Sequence, residues 1–587
     1  MRITDHLPFV SLLVAFAACG GKGTGFENSD SGGGDTSTTN NDGGPMFNID
    51  GSTDAPMCTT CSADLHEVIT CGSNPTVVQT CTGNTGCGPG GCIDACTAAA
   101  ASQSSIGCDY YSIAVDAWNS AYSSGGAAGS CLAAFVTNYW STPMTVNLVW
   151  KGSMINAAPY AYTPVGSGNS ITYQPIPTSG IPSNSMAIVF LNYYAGGQGD
   201  YHVACPSGVQ VAITSEDTVI HGTAMSNAIE IQTSVPAVVY DTYPFGGASS
   251  YIASATLLLP ITAWTTNYIG VAMYGTAYSG EFPPGIDLIA QQDGTQITLL
   301  PTVAITASGG VPATAANTPV TYNVNKGQNV HIMQTTGDLT GSIVSSNYPV
   351  GVWGEHFCFN VSDQAPPWRI VGAVDGTTLT YDPPISGAPA TLKEGQLVEF
   401  DGLPAFYVKS QDNMHPFYLA AHRPGGDCDA GHQQIPPISA LGNDYVAIAN
   451  ESTNYDVGGP ETVNVIAPEQ YLNSYIFFTD PTFGYTELAL DRVLNTSNTF
   501  DDVTLDCLGT VTGWKPVGTS GKYEYVHVDL VTAGAAVGKC NNGLHTISSN
   551  TPFGMTVWGY DSASSYAYPA GASVKPINTV IVPPTPH

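Results

Sequence analysis

Pro284-Gly-Ile-Asp-Leu-Ile-Ala-Gln-Gln-Asp-Gly-Thr-Gln-Ile-Thr-Leu-Leu-Pro301 decides the fold class. Two apolar-rich, β-branched runs flank Asp293-Gly294, and Asp-Gly between such runs is a strong short-range hairpin signal. The pattern recurs as Pro366-Pro-Trp-Arg-Ile-Val-Gly-Ala-Val-Asp-Gly-Thr-Thr-Leu-Thr-Tyr-Asp-Pro383, turning at Asp375-Gly376. After each hairpin comes a Gly-Gln strand, NKGQNVHI around Gly327 and KEGQLVEF around Gly395. A Ser…Pro strand follows, IVSSNYPVGVWGEH around Pro349 and VKSQDNMHPFYLAAH around Pro416. Matching order and spacing identify a duplicated β unit.

Echoes extend beyond the duplication. The last strand reappears as IQTSVPAVVYDTYP at Pro236 and ISSNTPFGMTVWGYD at Pro552, and LLLPITAWTTNYIGVAM from Leu257 is matched by QIPPISALGNDYVAIAN from Gln434. With 65 Gly, 41 Pro and strand runs rich in Val, Ile, Thr and Tyr, the composition is that of short strands and tight turns. The expected class is all-β, built of repeated antiparallel modules after a small disulfide-rich segment. Tandem β-sandwiches fit units of this length, and a β-propeller is the alternative. A chain of 587 residues buries more than one core. The organisation expected is a first module over 111–255, duplicated modules over 256–440 and a C-terminal module over 441–587.

Charge excludes one class of partner. Lysine and arginine number 13 against 45 acidic residues, too few to track a phosphate backbone, so nucleic acid is not expected. Charged residues are only 10% of the chain, and Asp sits mostly beside Gly, Asn, Thr and Pro, which is turn chemistry.

The N-terminus reads as an address. Residues 1–19, MRITDHLPFVSLLVAFAAC, combine Arg2, an apolar stretch from Leu7 to Ala17 and small residues before Cys19, the pattern of a secretory signal. Ala17-Ala18-Cys19-Gly20 resembles a bacterial lipobox, which would make Cys19 the acylated first residue of the mature chain. Phe16 stands where such motifs usually carry Leu. Residues 20–54 are rich in Gly, Ser, Thr, Asn and Asp with little to bury, and are expected to be a disordered tether. The membrane is thus met through a lipid anchor only, at the outer membrane or cell surface.

Acylation of Cys19 leaves an even 14 of the 15 cysteines, as an oxidising compartment favours. Eight crowd into residues 55–110: Cys58, Cys61, Cys71, Cys81, Cys87, Cys92, Cys96 and Cys108. They are expected to bond among themselves, in a connectivity that spacing does not choose. Zinc is the rival reading of Cys58-x-x-Cys61 and Cys92-x-x-x-Cys96. The other six fall as Cys131 with Cys205, Cys358 with Cys428, and Cys507 with Cys540, one staple for each later module.

Several segments together carry a family resemblance: GCDYYSIAVD after Gly107, CLAAFVTNYWSTPMTV from Cys131, YDTYPFGGASSYIASATLLLPITAWTTNYI from Tyr240, GDLTGSIVSSNYPVGVWGEHFC to Cys358, CDAGHQQIPPISALGNDY from Cys428, VTLDCLGTVTGW and SYAYPAG. Over residues 58–580 the chain resembles the IgG Fc-binding protein N-terminal domain family, in its myxobacterial type of cysteine-rich lipoprotein. The resemblance implies a related fold. Antibody binding comes with the family's name and is not carried over.

The search for chemistry finds no G-x-S-x-G elbow, H-E-x-x-H helix, P-loop or kinase set, and His66-Glu67 lacks a second histidine. Neither cofactor, resident metal nor catalytic residue is expected. The one constellation to place is His356-x-Cys358 with Cys428, Asp429 and His432, and with His415 and His422 nearby: a Cys/His metal site, or a disulfide with histidine neighbours. Tyr139-Trp140 could bind a ligand or serve the strand, and Asp456-Val-Gly-Gly could hold calcium, though without an EF-hand loop. The expected function is a cell-surface binding or adhesion module for an extracellular protein or glycan. The alternative is an exported hydrolase acting on a polymer, since paired carboxylates cannot be judged before the fold is known.

Overall fold

In the computed structural model the described residues run from 58 to 586, apart from 63, 72–74, 118–125, 274–283, 335–336, 362–366, 403–404, 451–460 and 563. The expected hairpins are both present. Pro284–Ala290 turns at Asp293-Gly294 into Thr295–Leu300, and Pro367–Gly372 turns at Asp375-Gly376 into Thr377–Asp382. Gly294 and Gly376 sit at φ +71° and +75°, the left-handed region that only glycine enters without cost.

The two arms of each hairpin do not stay in one layer. In the first copy, Thr295–Leu300 pairs with Val320–Val324, while Pro284–Ala290 pairs with Gln328–Met333. The long strand Ile343–Val361 then serves both layers. Its start lies between Thr295–Leu300 and Thr265–Ile269, and from Val350 onward it lies between Pro284–Ala290 and Gly425–Gln434. The result is a sandwich with one strand crossing the corner between its layers. Pro349 stands at that crossing, where a missing N–H interrupts the ladder.

The same plan is built four times. In the first sandwich Ile229–Tyr243 crosses at Pro236. Before the crossing it pairs with Gly107–Ser112 and Val146–Trp150, and after it with Leu132–Asn138 and Ser254–Leu258. In the fourth, Leu544–Tyr560 crosses at Pro552, from Leu472–Phe478 and Val503–Leu505 to Tyr485–Val493 and Ser565–Pro569. In the third the crossing strand is broken in two. Phe406–Ser410 pairs with Thr377–Asp382 and Asp444–Ala447, and after Pro416 Phe417–Arg423 pairs with Pro367–Gly372 and Glu461–Asn464.

Four closing strands, Ser254–Leu258, Gly425–Gln434, Glu461–Asn464 and Ser565–Pro569, each complete one sandwich and pack against one another in cyclic order. The expected sandwiches are therefore set around a ring, as the blades of a propeller are. After each of the first three closing strands the chain makes one 3-10 turn, Ile261–Ala263, Ile438–Ala440 or Pro468–Gln470, and enters a strand of the next sandwich. A proline stands at the start of each turn, and its fixed φ with no N–H to satisfy suits the place.

Alternation along the strands assigns the faces. Ile286, Leu288 and Ala290 fill the core of the second sandwich, whereas Asp287 and Ile289 face away from that core, toward the first. Ahead of the ring, the cysteine-rich segment has little apolar core beyond Val68, Cys81 and Cys87. Four bonds hold it: Cys58–Cys71, Cys61–Cys87, Cys81–Cys92 and Cys96–Cys108. Disulfides substitute for a core in segments this small. Its one helix, Ala95–Ser102, starts at Asp94, whose carboxylate accepts from the Thr97 N–H. Further along, Cys131–Cys205 and Cys507–Cys540 staple the first and fourth sandwiches. The side chains of Cys358 and Cys428 lie outside the described residues, as does Cys19.

Candidate functional site

A concavity of about 1110 Å³ lies where the cysteine-rich segment meets the first and fourth sandwiches. Thr60, Asp64, His66, Tyr139, Trp140 and Asn473 are among the residues that line it. Trp140 is buried and donates from Nε1 to the Gly83 carbonyl at 2.9 Å, while the His66 ring packs on it at 4.5 Å. Thr142 adds a hydroxyl bond to Asn84 at 2.7 Å. Trp140 thus fixes the segment to the ring, a role distinct from the two the sequence offered, a ligand contact or a strand residue. The hydrogen bond to Asp64 holds His66 above its ordinary pKa and Asp64 well below the carboxylate range. Glu469 is raised, by burial first and then by Asp444. The cleft therefore presents hydroxyls, an amide and ionisable groups, a surface suited to polar, hydrogen-bonding ligands.

A second site is buried. Asp287, His331 and Glu355, on three neighbouring strands of the second sandwich, meet the first sandwich through Asp116. His331 Nδ1 lies 2.9 Å from Asp287 Oδ1 and 3.1 Å from Glu355 Oε1, and Nε2 lies 3.6 Å from Asp116 Oδ2. Asp116 is held by His221 Nδ1 and the Gly222 N–H, both at 2.6 Å, and its own N–H donates to Glu355 Oε2 at 3.0 Å. Burial works against a charged His331, yet Glu355 and Asp287 outweigh it and hold the ring protonated well above its ordinary range. Burial pushes Glu355 up to about 8.

The place Asp287 takes on its strand recurs around the ring. Asp287 lies opposite Trp353, Arg369 opposite Ala420, Phe135 opposite Tyr240 and Glu487 opposite Trp558. Arg369, Glu487 and Phe135 each reach the preceding sandwich, and Asp287 does so through His331 and Asp116. Arg369 donates to the Ala272 carbonyl and pairs with Asp338, Glu487 meets Asn450, and Phe135 packs on Phe478 at 5.0 Å. Three junctions are polar and one is aromatic.

Among the described residues, the histidines of the constellation expected around His356 do not gather around one point. His432 faces the Asp287 cluster and receives a hydrogen bond from Thr256 on its carbonyl. Burial, and secondarily the Arg369 charge, depresses His356 to about 3 and takes His422 well below its ordinary range. His415 is on an exposed loop, bonded to Asp412 at 2.7 Å. The side chains of Cys358, Cys428 and Asp429 lie outside the described residues, and so does Asp456. Sequence reading missed Asp116, His221, Asp287, His331 and Glu355. The available signal was a lone ionisable residue inside each of three apolar strands, GIDLI, NVHIM and VWGEH.

A closed ring of β-sandwiches with a disulfide-bonded segment docked on it defines the class. Residues 254–366, 362–427 and 448–559 each match the family described as IgGFc binding protein. These stretches contain most of the strands of the second, third and fourth sandwiches, and the chain is similar to that family over them. The human IgGFc-binding protein is 26% identical over 363 residues, which span 57% of this chain and 6% of the human protein. The disulfides are those of an extracellular protein. Among the described residues no helix is long and apolar enough to cross a membrane.

Proposed function

We propose that this chain is a cell-surface lipoprotein that works as a binding or adhesion module for an extracellular protein or glycan. The observation that supports it most is the recurrence of one binding-family unit in three sandwiches of a single ring. Fixed by Trp140 and by disulfides, the cleft beneath the cysteine-rich segment receives the partner on a preorganised surface, which lowers the ordering cost of binding. Acylation at Cys19 and the tether over 20–54 hold the ring away from the envelope. Along the chain the modules are taken as 111–255, 256–440 and 441–587, with the third sandwich borrowing Asp444–Ala447 and Glu461–Asn464 from the last of them.

The test incubates the full chain with protein and glycan arrays, immunoglobulin Fc among them, while the same preparation is assayed on polysaccharide and peptide substrates. Saturable binding without turnover is expected. Turnover abolished by one carboxylate substitution, without saturable binding, would replace adhesion by hydrolysis. Mass spectrometry of the mature N-terminus should find an acylated Cys19, and an unlipidated chain starting downstream would remove the anchor.

A further inference from the structure

The cluster at the seam of the first two sandwiches has a charge problem that protons solve poorly. Asp116, Asp287, His331 and Glu355 are all at least 95% buried. Two carboxylate oxygens, one from Asp287 and one from Glu355, converge on the same nitrogen, His331 Nδ1, at 2.9 and 3.1 Å. That nitrogen carries at most one hydrogen, and it cannot serve two anionic oxygens well. Glu355 Oε1 accepts no hydrogen bond, although it is buried and aimed into the cluster. Ionised carboxylates without compensation are among the costliest groups to bury.

The remaining atoms are already held. Glu355 Oε2 accepts from the Asp116 N–H, and Asp287 Oδ1 accepts from Asn329 Nδ2. His331 Nε2 faces the Asp116 carboxylate. A carboxylate behind the far nitrogen of a histidine is the arrangement that orients metal-binding imidazoles. One ligand atom from each of Asp287, His331 and Glu355 lies within 4.8 Å of the others. Beside Asp287, Asn329 and His331 is a cavity of about 20 Å³, room for one water.

We propose that Asp287, His331 and Glu355 form a zinc site at this seam, with His331 Nδ1 and one oxygen of each carboxylate as ligands, a water in the adjoining cavity as the fourth, and Asp116 as the positioning residue. Tetrahedral zinc with bonds of about 2.0–2.1 Å sets its ligands roughly 3.3 Å apart, close to the separations around Nδ1. Calcium asks for six to eight oxygens at longer range, which an imidazole and two carboxylates do not provide. A divalent ion with neutral His331 balances the three buried carboxylates and a protonated His221. The site clamps the first sandwich to the second. The other Cys/His/Asp group, Asp506, Cys507 and His545, is a poor rival because Cys507 is bonded to Cys540.

The experiment strips the full chain with a chelator, dialyses it against zinc, and counts metal by elemental mass spectrometry. Cobalt is then substituted and the visible spectrum recorded. One zinc per chain and the intense bands of four-coordinate cobalt are expected, both lost in His331→Gln and retained in His545→Gln. Asp116→Asn, which keeps all three ligands, should weaken zinc affinity roughly 10–100-fold. The wild-type count and spectrum decide the matter even if a ligand variant fails to fold. Wild-type chain that takes up no stoichiometric zinc overturns the site, as does binding left unchanged by His331→Gln and Asp116→Asn.

Discussion

Asp241 and Asp491 are carboxyl groups that burial pushes up to about 7, against the hydrogen bonds they receive from Ser112 and Tyr471. An unfolded Asp titrates near 3.9, so between about pH 4 and 7 the folded chain binds more protons and its stability falls as pH rises. Below that window the contribution is complete, and above it the loss is finished. Asp241→Asn or Asp491→Asn should each gain roughly 2–3 kcal/mol relative to wild type on going from pH 5 to pH 8, read from guanidinium unfolding. A difference independent of pH would contradict the burial argument. Between the second and third sandwiches, Arg369 is fully buried between Asp338 and Glu399, which lie 2.5 and 3.2 Å away and keep some contact with solvent. Arg369→Ala should cost about 3 kcal/mol, the lower end for removing one partner of a buried pair. Residues such as these are hard to find in the sequence. Trp-Arg-Ile and Tyr-Asp-Thr read as ordinary strand, and only the neighbouring sandwich shows why the charge is tolerated.

At the scale of elements the sequence was legible where the signal is local. Asp-Gly turns announced the hairpins, and the Ser…Pro strands marked all four corners, because proline's missing N–H acts through its own backbone. Around Gly294 and Gly376 no atom lies within 4 Å of where a Cβ would stand. Gly294→Ala and Gly376→Ala should therefore each cost about 1 kcal/mol through backbone strain alone, measured by chemical denaturation. A much larger loss in either would mean that the turns also serve packing. Two features escaped local reading. Helix Ala95–Ser102 is mostly alanine, so it carries no apolar stripe to reveal its period. The partner of Ile343–Val361 is Gly425–Gln434, beyond all the strands of the third sandwich that precede it, and long-range pairing leaves no mark in spacing.

The whole molecule is where sequence reading stopped short and the structure adds most. Repeats made the sandwiches visible, but ring closure depends on contacts among four closing strands whose sequences share little, and the cleft forms between segments about 400 residues apart, His66 and Asn473. Cysteine arithmetic foresaw bonding within the first eight cysteines without choosing the connectivity. The candidate site was thus legible only in pieces, as Tyr139-Trp140 and a disulfide-rich stretch. On the function proposed above, this cleft is the face that binds. Hydrogen–deuterium exchange of the full chain, with and without a protein or glycan captured from the arrays, tests it most directly. The account predicts ligand-induced protection in the segments around Thr60–His66 and Leu472–Ser474, and binding lost in Thr60→Arg and Ser474→Arg chains that remain folded. Protection confined to the outer strands Ser153–Asn156 and Val320–Val324, with both variants binding as wild type does, would contradict it.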